Sequence, residues 1–159
     1  MAMPDVSLRP SAATDEAFLG LVYVSTRIEE LAVVPWTDEQ KGLFLAQQFH
    51  AQDVAYRENY PDASFSIVEL DGEPIGRLIL ARLAGNELRI VDIALLPDHR
   101  NTGIGTRLIR DVLATAESGA LMVSLDVEVW SPAVRLYERL GFRRASANDV
   151  HIRMEWTAS

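Results

Sequence analysis

The chain has 159 residues, with 23 Asp or Glu against 15 Lys or Arg, so its formal net charge is −8. Such a length suits one domain with its own core, and 48% hydrophobic with 24% charged residues excludes disordered, collagen-like and fibrous classes. The acidic balance repels phosphate backbones and anionic lipid, which argues against nucleic-acid or membrane-surface binding and is compatible with a cationic substrate.

There is no cysteine, so disulfides, thiolate catalysis and Cys-based zinc sites are excluded. His50, His99 and His151 lie far apart, and no metal is expected. Residues Met1 to Asp5 lack a basic region followed by an apolar run. No stretch approaches the ~18 consecutive apolar residues of a membrane span. A soluble cytoplasmic protein is expected. With no repeat or linker-like stretch, residues 1–159 read as a single domain with its core at about 6–156.

The predicted elements begin with a short strand, Val6 to Pro10. A helix follows over Ala12 to Leu31, with Thr14 at its start. Pro35-Trp36 interrupts it, and Thr37 or Asp38 caps a second helix running to about Asn59. Phe65 to Leu70 and Pro74 to Leu83 are strands joined at Asp71-Gly72, a hairpin signal because Gly takes positive φ without steric cost. A turn over Ala84 to Glu87 leads to a third strand, Leu88 to Leu96, ended by Pro97, which completes an antiparallel meander.

The period then changes. Ile104, Leu108, Ile109, Val112 and Leu113 share one helical face, and Gly119 ends that helix. Leu121 to Val129 alternates as a strand, so strand, helix and strand imply a right-handed parallel crossover. Ala133, Leu136, Tyr137 and Leu140 mark a short helix with Pro132 at its first turn, followed by closing strands at Phe142 to Ala145 and Val150 to Trp156. The sum is an α+β domain: a mixed, mostly antiparallel sheet of roughly seven strands with helices on both faces.

The chemistry-bearing stretch is Arg100-Asn101-Thr102-Gly103-Ile104-Gly105, between a strand end and a helix start. Glycines let backbone amides turn outward and a ligand approach closely, and the first amides of a helix favour phosphate. Arg100 and Arg107 offer charge-assisted bonds, although Arg107 also reads as a solvated helix arginine. A Walker loop needs Gly-Lys-Ser/Thr, which is absent, and the dinucleotide fingerprint fails at Leu108. The pattern that fits is Arg/Gln-x-x-Gly-x-Gly/Ala.

In this loop the sequence resembles the GNAT superfamily of acetyl-coenzyme A-dependent N-acetyltransferases. A second block, Ser131-Pro132-Ala133-Val134-Arg135-Leu136-Tyr137-Glu138-Arg139-Leu140-Gly141-Phe142, is similar to the family's Asn-x-x-Ala-x-x-Leu-Tyr-x-x-x-Gly-Phe. Two departures stand out: Asn101 where Gly is common, and Ser131 where Asn is usual. The resemblance implies the GNAT-like acyl-CoA N-acyltransferase fold and direct transfer of an acetyl group from acetyl-CoA, as co-substrate, to a primary amine of a small molecule or protein. It implies that Arg100, Asn101, Thr102, Gly103, Ile104, Gly105 and Thr106 hold the pyrophosphate. Backbone groups of Ile93, Ala94 and Leu95 would meet the pantetheine and thioester, with Ser131, Ala133 and Tyr137 completing the cofactor site. Tyr137 matches the tyrosine that protonates the departing thiolate; periodicity alone reads it as a packed aromatic.

The base is open between Asp92 and Glu128, each acting directly or through water; each also reads as a solvent-facing or salt-bridged carboxylate. Glu29, Glu30, Trp36, Tyr56 and Tyr60 are candidate acceptor-binding residues, since acids pair with an ammonium and aromatics stack on it. Glu29 and Glu30 equally read as a solvated helix end, and Trp36 as core. The resemblance leaves a homodimer open, although no sequence feature demands one. The alternatives are an acyl-CoA-binding sensor or interaction module with little or no turnover, and a transferase using another acyl donor or acceptor.

Overall fold

Period-two patterning in the middle of the chain and period-3.6 patterning on either side become strands and helices close to the expected places. The computed structural model describes residues 5–159. Its strands are β1 (Val6–Pro10), β2 (Ser64–Leu70), β3 (Glu73–Leu83), β4 (Glu87–Leu95), β5 (Met122–Glu128), β6 (Arg143–Ala147) and β7 (His151–Trp156). The α-helices are α1 (Glu16–Arg27), α2 (Asp38–Asn59), α3 (Ile104–Ser118) and α4 (Ala133–Arg139). The strands form one mixed sheet in the order β1-β2-β3-β4-β5-β7-β6, in which β4 and β5 are a parallel pair.

The chain divides into two compact units. The first holds the residues up to Ile79 together with Asp92–Arg100; the second holds Leu80–Val91 and Asn101–Ser159. In the first, β1 pairs antiparallel with β2, and Leu19 of α1, Phe49 of α2 and Ile67 of β2 form a buried cluster. Gly76 of β3 allows a close backbone approach, because an added Cβ would collide with the Ala94 carbonyl and lie 3.0 Å from Leu95 Cα. The expected long first helix is corrected: residues Ala13–Asp15 and Ile28–Leu31 are 3-10 turns flanking α1. At the start, the Asp15 carboxylate accepts from the Ala12 amide at 2.8 Å and from Arg9 at 2.9 Å, so Thr14 sits inside a tight turn. At the end, the Ser25 and Thr26 hydroxyls bond back to Val22 and Tyr23 carbonyls at 2.6 and 2.7 Å, competing with the regular ladder. The cap of α2 is Thr37: its hydroxyl accepts from the Gln40 amide while the Gln40 side chain accepts from the Thr37 amide.

In the second unit, the β4–β5 ladder covers Glu87–Arg89 against Met122–Ser124. The last strand does not close an edge; β7 inserts between β5 and β6. The reason is apolar content. Ile152 and Met154 of β7 are buried opposite Val127 and Leu125 of β5, whereas every residue of β6 is exposed and suits an edge. Buried Ser124 accepts from Arg89 at 3.2 Å and donates to Glu87 at 2.5 Å; Arg89 also pairs with Asp126, and Glu87 with Arg153. Burial pushes the Glu87 carboxyl up, but the Ser124 and Arg153 hydrogen bonds outweigh it and hold the group below its ordinary value.

Arg9 grips Asp15 with two guanidinium nitrogens. Its hydrogen bonds, and then that of the Ala12 amide, hold the Asp15 carboxyl at about 2, below the ordinary 3.8. Because the folded value lies lower, the contribution is full above 3.8 and is lost as pH falls toward 2. The stability difference between wild type and Asp15→Asn, measured by urea denaturation, is therefore expected to be constant at neutral pH and to close across that acidic window.

Candidate active site

The amphipathic helix α3 begins at Gly103, whose φ of 89° lies in the left-handed region, and Asn101 before it has φ 59°. Gly suits such a position and Asn tolerates it, so the substitution of Asn101 leaves the turn intact. The cap residue Gly103 has no side chain with which to bond the first amides of the helix. The first intrahelical bond runs from Arg107 N to Gly103 O at 3.0 Å, so the amides of Ile104, Gly105 and Thr106 have no carbonyl of the helix to bond. Space for 4 Å around a Cβ at Gly103 is open. An uncapped, positively polarised helix end behind a left-handed loop fits a pyrophosphate group.

Arg100 departs from its expected task. Its Nε donates to the Leu95 carbonyl at 2.9 Å, and Nη2 donates to the carbonyl and hydroxyl oxygens of Ser25 at 3.3 and 3.2 Å. The guanidinium therefore ties the end of β4 to α1. A bare arginine at a loop start cannot reveal this competition, because the accepting oxygens belong to residues 5 and 75 positions away.

In the second unit, Tyr137 is buried on α4, with its ring edge-on to Phe142 at 5.6 Å between centroids. Ser131 Oγ accepts from the Ala133 amide at 3.2 Å, and the Ser131 amide donates to the Glu128 carbonyl at 2.9 Å. These bonds bring Glu128, Ser131 and Ala133 into one turn between β5 and α4.

In the first unit the structure gathers Asp92 and Tyr56, and adds two residues that sequence reading missed. Arg77 of β3 donates to Asp92 at 2.7 Å and to Gln52 of α2 at 2.6 Å. Its guanidinium carbon lies 5.7 Å from the Phe49 ring centroid and 5.8 Å from that of Tyr56. Burial, and secondarily the Asp92 charge, pushes the Tyr56 hydroxyl up to about 12. Tyr60 caps the same helix through its amide on the Tyr56 carbonyl at 2.8 Å. The available signal was a lone arginine on the strand face that also carries Ile75 and Ile79.

The other acceptor candidates lie apart from this cluster's bonds. Glu29 and Glu30 are exposed, and Glu30 pairs with Arg27 at 3.0 Å, as a solvated helix end would. Trp36 is not core: it is 42% exposed and rests edge-on against Phe44 at 5.3 Å. Ile93 and Ala94 are half-buried on β4, and Leu95 is buried. Among the described residues, no helix is long and apolar enough to cross a membrane, and no three His, Asp or Glu cluster as metal ligands would.

Comparison with known proteins bears on this arrangement. An N-alpha-acetyltransferase of Sulfurisphaera tokodaii is 32% identical over 116 residues, covering 57% of this chain and 69% of the relative. A streptothricin acetyltransferase of Streptomyces lavendulae is 37% identical over 94 residues, again 57% of this chain, which spans half the length of that relative. The crystal structure of PaiA N-acetyltransferase from Thermoplasma acidophilum in complex with coenzyme A has the same fold, with a TM-score of 0.72 at 17% identity over 97% of this chain and 99% of that one. The family model described as Acetyltransferase (GNAT) family matches residues 16–142, a stretch that contains the loop, the crossover helix and the Tyr137 block, and the chain therefore belongs to this family of acetyltransferases.

Proposed function

We propose that the chain transfers an acetyl group directly from acetyl-CoA to a primary amine of a small molecule or protein. The observation that carries this reading is the left-handed turn at Asn101 and Gly103 leading into the uncapped end of α3. The loop backbone and the amides of Ile104, Gly105 and Thr106 would hold the pyrophosphate, and the backbone of Ile93, Ala94 and Leu95 the pantetheine. With Arg100 bonded to Leu95 and Ser25, its part is to fix the loop's first residue. The N-alpha-acetyltransferase relative supports nitrogen as the acceptor atom.

An alkylammonium near pKa ~10.4 must lose a proton before its nitrogen can attack. Asp92 or Glu128, directly or through water, takes that proton. The nitrogen then bonds to the thioester carbon, a backbone N–H steadies the oxyanion, and the carbon–sulfur bond breaks. Tyr137 protonates the departing thiolate and recovers a proton from the newly bonded nitrogen. The products are an N-acetylated amine, coenzyme A and one proton released from the base. Acceptor selection falls to Tyr56 and Tyr60, with Glu29, Glu30 and Trp36 on the surrounding surface. A coenzyme A thioester donor suits a cytoplasmic location, and a homodimer is compatible with this reading.

A second reading, an acyl-CoA-binding module with little turnover, draws support from Ser131, whose hydroxyl is engaged by the Ala133 amide. An acceptor screen that detects coenzyme A release separates the two. On an acceptor turned over by wild type, Tyr137→Phe is expected to lower kcat by roughly 100-fold while coenzyme affinity in calorimetry stays unchanged. Undiminished turnover would remove Tyr137 as the acid, and coenzyme binding without transfer to any amine would favour the module. Gly103→Val is expected to weaken coenzyme binding by more than the ~1–2 kcal/mol that a left-handed β-branched residue costs the fold. Equal losses in calorimetry and thermal denaturation would assign the glycine to the turn alone.

A further inference from the structure

Arg77 is 5% exposed. Side chains alternate along a strand, so it shares its face of β3 with Ile75 and Ile79, both buried. A charge in that setting is costly unless paired and hydrogen-bonded. Its partners come from two directions. Phe49, Gln52 and Tyr56 stand at i, i+3 and i+7 on one face of α2, continuing the stripe begun by Leu45. The two rings flank the guanidinium, and Gln52 Oε1 accepts from Nη2 at 2.6 Å. Its Nε donates to Asp92 Oδ2 at 2.7 Å, and Nη2 lies 2.7 Å from the same oxygen.

The pair is asymmetric: the Arg77 side chain is 6% exposed and that of Asp92 24%. The cation is sealed while the carboxylate keeps access to solvent. Stability alone explains such a pair poorly, since apolar side chains of similar shape often replace buried ion pairs at no loss. What the arrangement does supply is orientation. Gln52 stops the planar fork from turning, and the fork holds Asp92 in one rotamer by one of its two oxygens.

We propose that Arg77, locked by Gln52, is a positioning residue that aims Asp92 at the acceptor amine. This rests on the reading above, taking Asp92 rather than Glu128 as the base. The ammonium N–H proton passes to the Asp92 carboxylate; Arg77 keeps all of its protons throughout, because a guanidinium does not deprotonate in proteins.

The test is a double-mutant cycle on an amine that wild type acetylates, using Asp92→Asn, Arg77→Lys and the double variant. Arg77→Lys keeps the charge and loses the fork. It is expected to lower kcat about tenfold through misplacement of the base, with amine KM and coenzyme Kd unchanged and with no further loss in the Asp92→Asn background. Gln52→Leu, which leaves the ion pair in place, is expected to give a smaller loss of kcat with the same unchanged KM. Full kcat in both Arg77→Lys and Gln52→Leu would overturn the proposal. So would an equal factor lost from Arg77→Lys in both backgrounds, the signature of a merely structural role. Undiminished kcat in Asp92→Asn would also overturn it, by excluding Asp92 as the base while leaving acetyl transfer by the wild type intact.

Discussion

The parallel pairing of β4 with β5 is the constraint on which the arrangement depends. A strand laid parallel to its predecessor obliges the chain to travel back along the sheet before it can pair, and a helix is the usual return. α3 is that return, and eight residues, the polar loop among them, separate it from the end of β4. The left-handed residues Asn101 and Gly103 make the reversal, and the same reversal leaves the helix end uncapped. Connection geometry and the helix amides proposed to hold an anion are thus one feature. Arg100 belongs to the connection as well: by bonding to Leu95 and Ser25 it secures the loop's first residue with a charged donor that would otherwise be available to a phosphate.

Charge inside each unit is handled in the same way and to different ends. In the second, Arg89 is buried against Ser124 and Asp126, and Ser124 passes the network on to Glu87 and Arg153. These bonds run across neighbouring strands and satisfy polar groups where β4, β5 and β7 meet. In the first, Arg77 is enclosed by a helix face and directed at a carboxylate that remains accessible. Both satisfy the rule that a buried guanidinium needs an anion, and in both the anion keeps more exposure than the cation: 46% for Asp126 and 24% for Asp92.

Local signals were legible where one residue's conformational preference decides the matter. The helix start at Thr37 or Asp38, the Asp71-Gly72 turn, the Gly103 helix start and the amphipathic face of α3 all depend on neighbours close in the chain. Helix ends were less legible. α1 is shortened at one end by an Asp15 contact with Arg9 on another element and at the other by back-bonding hydroxyls that regular periodicity does not register. The place of β7 within the sheet was invisible too, because alternation reports which residues are apolar and not which neighbour they will face.

The sequence by itself determined the order of elements, the loop pattern Arg100 to Gly105 and the Tyr137 block, and with them the family. These are contiguous motifs, in which spacing along the chain is also spacing in the fold. Only the tertiary structure decided what the arginines do. Arg77 meets a partner 15 residues away on β4 and another 25 residues back on α2, and Arg100 reaches across 75 positions to Ser25. A guanidinium can donate in several directions to whatever acceptors folding brings within reach. Its role is therefore set by long-range contacts, which residue identity and local spacing do not encode.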